Sequence, residues 1–461
     1  MKDIKDTIAA ISTPIGQGGI AIVRISGLQA IKVADKVFRA KDKKKLSACL
    51  THTLHYGYIL DTKTNEDLDE VLISIMKSPR TYTKEDIVEI NCHGGIVSVG
   101  RVLEEVLKNG ARLAEPGEFT RRAFLNGRID LTQAEAVCDI ITSQTEASLK
   151  MAVSHLEGGF SNIIKKHRDD LINILSNVES QIDFSYEDVK GYSKNELAND
   201  MENVLNELKS IFNTASTGIL LKEGITCVIC GKPNVGKSSL LNALLKRNRA
   251  IVTDVPGTTR DVIEEMMSIS GAPVRLIDTA GITHTDDIVE REGVTRSIQH
   301  INDADIILFV MDLSKPISIR DKQIIDILDM KKTIVLGNKC DLPIKLEFEK
   351  NNKIKDKDII EMSVLNGKNI KKIEQVLAEK IFKGEVSAPE PNFINNIRHK
   401  KAMEKAIKEL QKAIKILRSD QGFEICVIEL RSVIYDIGLI TGESADINIL
   451  DRIFSRFCIG K

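Results

Sequence analysis

The 461-residue chain predicts a multidomain fold: an α+β N-terminal domain, a mostly α-helical central domain, and a doubly wound α/β domain inserted into the helical one. Three observations predict it. Short runs of alternating apolar and polar residues fill the stretch 1–115. A helical apolar period dominates 119–218 and returns after 391. Between 224 and 383, strand-like and helix-like segments alternate.

In the N-terminal stretch, 20–25, 71–75 and 87–90 are rich in Ile and Val and alternate as half-buried strands do, with an amphipathic helix at 97–108. The stretch 119–218 has few glycines and long charged faces, which predicts several long helices. Strand 226–230 then runs into a glycine-rich turn and helix 237–245 leaves it. Segments 274–277, 306–311 and 333–336 read as further buried strands, as a doubly wound sheet requires. Two prolines mark 384–391 as a linker. These limits give 1–118 as the N-terminal α+β domain, 119–220 as the first part of the helical domain, 221–384 as the inserted domain and 385–461 as the second helical part. The two helical parts are expected to pack together.

The helix after the linker carries Lys401, Lys405, Lys408, Lys412 and Lys415 on one face. Met403, Ala406, Ile407, Leu410, Ile414 and Leu417 form its apolar stripe. The plain reading is a solvated face over a packed stripe; the sharper one is an RNA contact. The net charge of −1 gives no global basic field, and the absence of Trp argues against stacking platforms for single strands. No leader and no run of about 20 apolar residues is visible, so a cytoplasmic protein with no membrane partner is expected. Eight cysteines lie scattered without a framework, as reduced thiols do. Cys227 and Cys230 form a C-x-x-C on a strand, where they point to opposite faces rather than to one metal.

Residues 231–238 read Gly231-Lys232-Pro233-Asn234-Val235-Gly236-Lys237-Ser238, a Walker A phosphate loop. Asp278-Thr279-Ala280-Gly281 and Asn338-Lys339-Cys340-Asp341 follow in order. Together they mark a Ras-like G domain and fix the ligand as GTP with Mg²⁺. Gly231 and Gly236 let the backbone curl so that its N–H groups cradle phosphate oxygens. Lys237 brings a positive charge between the β and γ phosphates, and Ser238 offers a hydroxyl to Mg²⁺. Ser239 follows in the same turn. Asp278 is expected to hold Mg²⁺ through water, and the Gly281 N–H to sense the γ-phosphate. Asn338 and Asp341 read the base, because a carboxylate accepts from guanine N1–H and N2–H, which adenine does not offer. Ser363 is placed to close the base pocket. The loop Thr253-Asp254-Val255-Pro256-Gly257-Thr258-Thr259 lies between, with Thr259 the natural second hydroxyl ligand of Mg²⁺. Ile282 stands where many small GTPases carry a water-orienting Gln, so another residue must orient the water.

The chain resembles the MnmE (TrmE) family of tRNA modification GTPases over its whole length. The resemblance rests on Asp6-Thr7-Ile8-Ala9, Val23-Arg24-Ile25-Ser26-Gly27, Tyr82-Thr83, His93-Gly94-Gly95, Pro116-Gly117-Glu118-Phe119, Ala123-Phe124-Leu125-Asn126-Gly127, Asp130-Leu131 and the final Cys458-Ile459-Gly460-Lys461. It implies a folate-binding, dimerising N-terminal domain. It also implies a partnership with MnmG, an FAD protein, in a heterotetramer that modifies C5 of the wobble uridine of certain tRNAs. A tetrahydrofolate derivative, 5-formyl or methylene, supplies the one-carbon unit. The G domains would be activated by dimerisation and K⁺. On this resemblance Asn234 ligates K⁺, with oxygens of Thr253, Val255 and Thr258 completing the shell, and Glu290 orients the attacking water. Arg24, Glu89, Arg128 and Lys461 carry over as folate positions. Arg128 departs from the family's usual Lys, and Ser363-Val364-Leu365 departs at its third position. Cys458 is a candidate catalytic thiol, with an inert thiol beside the folate pocket as the plainer reading. A ribosome-assembly GTPase of the Era or Der type is the alternative; it shares the phosphate loop but lacks the N-terminal block and the Cys-x-Gly-Lys end.

Overall fold

The computed structural model describes residues 6–183, 192–248, 264–278, 297–346, 354, 359–382, 393–419 and 422–461. The chain divides into two compact units: one of Met1–Cys138, Ser161–Asp169 and Ile434–Lys461, the other of Asp139–Phe160 and Asp170–Val433. The expected linker 384–391 lies outside the described residues.

The first unit is built on a seven-stranded sheet of β1 (Ile8–Ile11), β2 (Gly18–Ser26), β3 (Phe38–Ala40), β4 (Thr53–Leu60), β5 (Asp67–Met76), β6 (Ile87–Gly94) and β7 (Arg112–Leu113). Their order is β3-β4-β5-β6-β2-β1-β7. Neighbours are antiparallel except β1 and β7. The alternation anticipated for 71–75 is present: Val71, Ile73 and Ile75 are buried, together with Val88, Ile90, Ala30, Val33, Val99 and Val102 of the flanking elements. Helices Ala30–Val37 and Ile96–Lys108 cover that face. The other face carries the odd-phase residues. Tyr56 pairs with Leu72, Leu72 with Asn91 and Asn91 with Ile22, one row across four strands. The next row is Leu54, Ser74, Glu89 and Arg24. Leu54 and Leu72 are 67% and 46% exposed.

A buried charge cluster ties this unit together. The Arg122 side chain is 4% exposed and donates to Asp6 at 2.5 Å, Glu118 at 3.0 Å and Glu85 at 3.2 Å. Arg112 donates to Asp6 at 2.6 Å and to both Glu118 oxygens at 2.6 and 2.8 Å. Glu85 also accepts from Ser26 Oγ at 2.7 Å. Residues before β1, at the end of β2, in the turn after β5, on β7 and on helix Glu118–Leu125 are thereby held at one point. A buried guanidinium is tolerated because carboxylates answer it from several sides.

The second unit contains the inserted domain. Its strands are β8 (Ile225–Cys230), β9 (Glu264–Ile269), β10 (Ala272–Asp278), β11 (Ile306–Asp312), β12 (Thr333–Asn338) and β13 (Ile360–Glu361), in the order β13-β12-β11-β8-β10-β9. All pair in parallel except the edge strand β9. The β9–β10 hairpin turns at Ser270 and Gly271, both at positive φ (48° and 90°), the conformation a two-residue hairpin loop requires. The sheet is covered on both faces. One face packs Leu240, Leu244, Ile373 and Leu377 of helices Lys237–Asn248 and Ile370–Phe382. The other packs Ile324 and Ile325 of helix Ile319–Ile327. Cys227 lies in the first core and Cys230 in the second, so they face apart as strand periodicity requires. Burial pushes both thiols far up, which suits inert core residues.

The helices before and after the inserted domain pack together. Lys194–Asn213 lies along Ile397–Arg418, with Arg418 bound to Glu202 at 2.9 Å. Met403, Ala406, Ile407, Leu410, Ile414 and Leu417 are all buried. The five lysines of the opposite face are exposed. Lys405 and Lys408 pair with Glu409 and Glu404 of the same helix at 3.6 and 2.7 Å, which neutralises part of the basic field.

Glu118 sets an acid limit on the first unit. Burial pushes its carboxyl up, but bonds from Arg112, the Glu115 N–H and Arg122 outweigh this and hold it at about 2, below its ordinary 4.5. The charged form therefore stabilises the fold fully above pH 4.5, and that stability is lost as pH falls through the native value. Unfolding of residues 1–138 between pH 5 and 2, followed by circular dichroism, should show a loss of roughly 3 kcal/mol that Glu118→Gln abolishes.

Candidate functional site

The phosphate loop leaves β8 at Gly231, where φ is +148°, and a Cβ would stand 2.4 Å from the Val310 carbonyl oxygen. Asn234 and Gly236 also take positive φ (64° and 102°), and a Cβ on Gly236 would meet Asn338 Nδ2 at 2.3 Å. At Gly231 and Gly236 the backbone path leaves no room for a Cβ. Three carbonyls of the loop are taken by side chains. Lys237 Nζ donates to the Lys232 carbonyl at 3.2 Å, Lys339 Nζ to that of Asn234 at 3.0 Å, and Asn338 Nδ2 to that of Val235 at 2.7 Å. Lys237 is buried; burial pushes its ammonium down in pKa while Asp278 pulls it up.

Ser238 Oγ donates to Asp278 Oδ2 at 2.9 Å, and Asp278 Oδ1 is buried without a hydrogen-bond partner among the described residues. A hydroxyl beside an unsatisfied carboxylate oxygen fits a hard divalent cation. Asn338 also ties parts of the site together. Its Oδ1 accepts from the Val364 N–H at 3.2 Å while its amide holds Val235, so it joins two loops. Lys339 bridges the phosphate loop to Asp312 at 2.7 Å. The Cys340 N–H donates to the Met362 carbonyl at 3.1 Å, bringing Ser363 beside the Asn338 motif. Ser363 is buried and its Oγ accepts from the Asn366 N–H at 3.3 Å. Asp341 and Ser239 are exposed, and so is Leu365, at 88%.

A second constellation lies in the first unit. Arg24 Nε donates to Glu89 Oε1 at 2.8 Å and its NH1 to the Gly460 carbonyl at 3.2 Å. The final residues are laid against the sheet. Ser12 Oγ donates to the Gly460 carbonyl at 3.1 Å, the Gly117 N–H to the Cys458 carbonyl at 3.3 Å, and the Phe119 N–H to the Lys461 carbonyl at 3.2 Å. The Arg24 guanidinium lies 5.9 Å from the centre of the Tyr82 ring and 5.7 Å from that of Phe119; Arg128 lies 4.7 Å from Tyr82. Arg128 and Tyr82 also line an open cleft of about 400 Å³ with Arg80 and Lys84. Burial, with Arg24 nearby, pushes the Lys461 amine down against the pull of Glu89 and Cys458. Positive charge is in excess here, and an anionic ligand would relieve it. Cys458 is exposed.

Two family matches divide the chain between them. Residues 7–128 match the family described as GTP-binding protein TrmE N-terminus, and residues 131–458 match the MnmE helical domain. The chain belongs to the MnmE family of tRNA modification GTPases. It is 48% identical over 459 residues to tRNA modification GTPase MnmE of Alkaliphilus oremlandii (strain OhILAs), covering 99% of this chain and 100% of that protein. The protein of that name from Alkaliphilus metalliredigens (strain QYMF) is 46% identical, with the same coverage. That of Geobacillus kaustophilus (strain HTA426) is 45% identical, covering 99% of each chain. As a member of the MnmE family, the chain is a GTP hydrolase that binds GTP.

The structure brings Asn234, Val235, Gly236, Lys237, Ser238, Asp278, Asn338, Lys339 and Ser363 into one connected site, and Arg24, Glu89, Lys461 and Cys458 into another. The loop 253–259, Thr279, Ala280, Gly281 and Glu290 lie outside the described residues. Sequence reasoning missed Tyr82 and Phe119 as aromatic walls and Gly460 as the carbonyl that Arg24 grips. All three stand in the quoted motifs, which was the available signal. No helix among the described residues is long and apolar enough to cross a membrane.

Gly460 tests the tail's docking. Its φ is +96°, and a Cβ would approach the Ile11 carbonyl oxygen to 2.3 Å. Gly460→Ala should undock the final residues. Carboxypeptidase trimming of the chain end is expected to speed up by about tenfold or more, while GTP binding is unchanged.

Proposed function

We propose that this chain couples a K⁺-activated, G-domain-dimerisation-dependent GTPase cycle to tRNA modification. Together with MnmG it would add an aminomethyl or carboxymethylaminomethyl group to C5 of the wobble uridine. The observation that carries the reading is the seating of Cys458–Lys461 against Arg24 and Glu89, a cationic cluster walled by Tyr82 and Phe119 in a chain that also builds a GTP site.

In this reading Glu89, Arg24, Arg128 and Lys461 hold a tetrahydrofolate derivative. Glu89 accepts from pterin N–H groups, and the cations face its carboxylates or formyl oxygen. The bound folate supplies the one-carbon unit, with glycine or ammonium as nitrogen donor. Cys458, exposed at the same place, is available as a thiol. The half-exposed row of Tyr56, Leu72 and Ile22, beside the Arg24–Glu89 row, supports pairing of two copies through this sheet face.

In the GTP site, Lys237 and the loop N–H groups bind the phosphates, and Ser238, Thr259 and Asp278 hold Mg²⁺. The side chain of Asn234 is exposed on a left-handed backbone and its carbonyl is fixed by Lys339, which supports its assignment to K⁺ with Thr253, Val255 and Thr258. K⁺ would supply the charge that an arginine finger gives elsewhere. Glu290 orients the water. GTP turnover should be roughly 10- to 100-fold faster in KCl than in NaCl. Asn234→Ala should erase the difference while a fluorescent GTP analogue still binds. Glu290→Ala should lose hydrolysis at unchanged affinity. Equal rates in the two salts would remove K⁺ from the mechanism.

The test of the whole reading is mass spectrometry of tRNA nucleosides from cells with and without the gene. Loss of a C5-aminomethyl-type wobble uridine is expected, restored by the wild-type gene but not by Arg24→Ala. An unchanged profile with accumulating ribosomal precursors would instead support an assembly switch.

A further inference from the structure

We propose that Lys232, the second residue of the phosphate loop, is a positioning residue for GTP binding that acts through a partly buried ion pair with Asp321. Lys232 Nζ donates to Asp321 Oδ2 at 2.7 Å, with side chains 16% and 1% exposed. Asp321 belongs to helix Ile319–Ile327, where it forms a capping box with Ser318. The same Oδ2 accepts from the Ser318 N–H at 2.8 Å and Ser318 Oγ at 2.7 Å. Its other oxygen is buried with no hydrogen-bond partner among the described residues. The cation answers the carboxylate, and the carboxylate holds the cation in place. The anchor is rigid, because the capping box locks it to the first turn of a helix whose Ile324 and Ile325 lie in the core.

The pair acts on the reaction through the backbone. Pro233 follows Lys232 and narrows its backbone conformations, so a restraint on the Lys232 side chain also restrains its carbonyl. That carbonyl accepts from Lys237 Nζ. Asn338 and Lys339 hold the loop further along, at Val235 and Asn234. Neither reaches its first turn. Lys232 and Asp321 hold that turn, and with it the ground-state position of the Lys237 ammonium.

The test uses the full-length protein and the dissociation rate of a fluorescent GDP analogue in Lys232→Met, Asp321→Asn, the double variant and Lys232→Arg. Each single variant should release nucleotide about tenfold faster, and the double variant no faster than either. Lys232→Arg should lie within about twofold of wild type, since it keeps a cation for the carboxylate. In steady state, KM for GTP should rise by more than kcat falls. A Lys232→Met protein that folds and releases at the wild-type rate overturns the proposal. So does a double variant whose effect is the product of the singles, or a lowered melting temperature with an unchanged release rate. Should Lys232→Met fail to fold, Asp321→Asn decides on the same criterion: release at the wild-type rate overturns the proposal.

Discussion

A loop that binds phosphate with its backbone N–H groups must satisfy its carbonyls elsewhere. The rest of the GTP site depends on how this chain meets that constraint. Lys237, Lys339 and Asn338 each cap one carbonyl of the loop between Lys232 and Val235. Two of the three donors come from the base-reading motif at the end of β12. Residues of the Asn338-Lys339-Cys340-Asp341 motif therefore help shape the phosphate loop. Close packing enforces this, since the Gly236 position leaves no room for a Cβ beside Asn338.

The second constellation rests on a different device. Its residues come from β2, β6, the turn at Tyr82, helix Glu118–Leu125 and the last residues of the chain. No local rule brings these together. Arg122 and Arg112 do so from beneath, by binding Asp6, Glu85 and Glu118 at one buried point. Helix Glu118–Leu125 then presents the Phe119 N–H to Lys461 and the Phe119 ring to Arg24. Removing one partner from such a cluster leaves a buried charge unanswered. Its integrity is thus a condition for the surface that Arg24 and Glu89 share.

Much of this was legible in the sequence. Strands at 71–75, 87–90, 226–230, 306–311 and 333–336 declared themselves through period and β-branching, and the structure lengthens each by only a few residues. The opposed faces of Cys227 and Cys230 followed from strand geometry alone. The apolar stripe of Ile397–Arg418 followed from helical period. What periodicity could not reveal was partnership. Asn338 reads as a base contact in a motif, yet its amide also joins two loops. Lys232 carries no role of its own in the phosphate-loop motif, yet it reaches a capping carboxylate 89 residues away. Such pairings depend on which surfaces the fold brings together, and that information is not local.

The sequence by itself determined the reaction class, because phosphate and base recognition demand particular residues at close spacing within short loops. It also determined the layer order of the inserted domain, because alternating strand and helix periods leave few ways to bury both faces of a parallel sheet. Only the tertiary structure decided that Gly460 would lie on the Ile11 carbonyl, that Arg24 would grip the tail between Tyr82 and Phe119, and that one buried arginine would gather three carboxylates. The Arg24–Gly460 contact alone joins residues 436 positions apart. The geometry of these contacts is set by the packing of whole elements, and no single segment carries it.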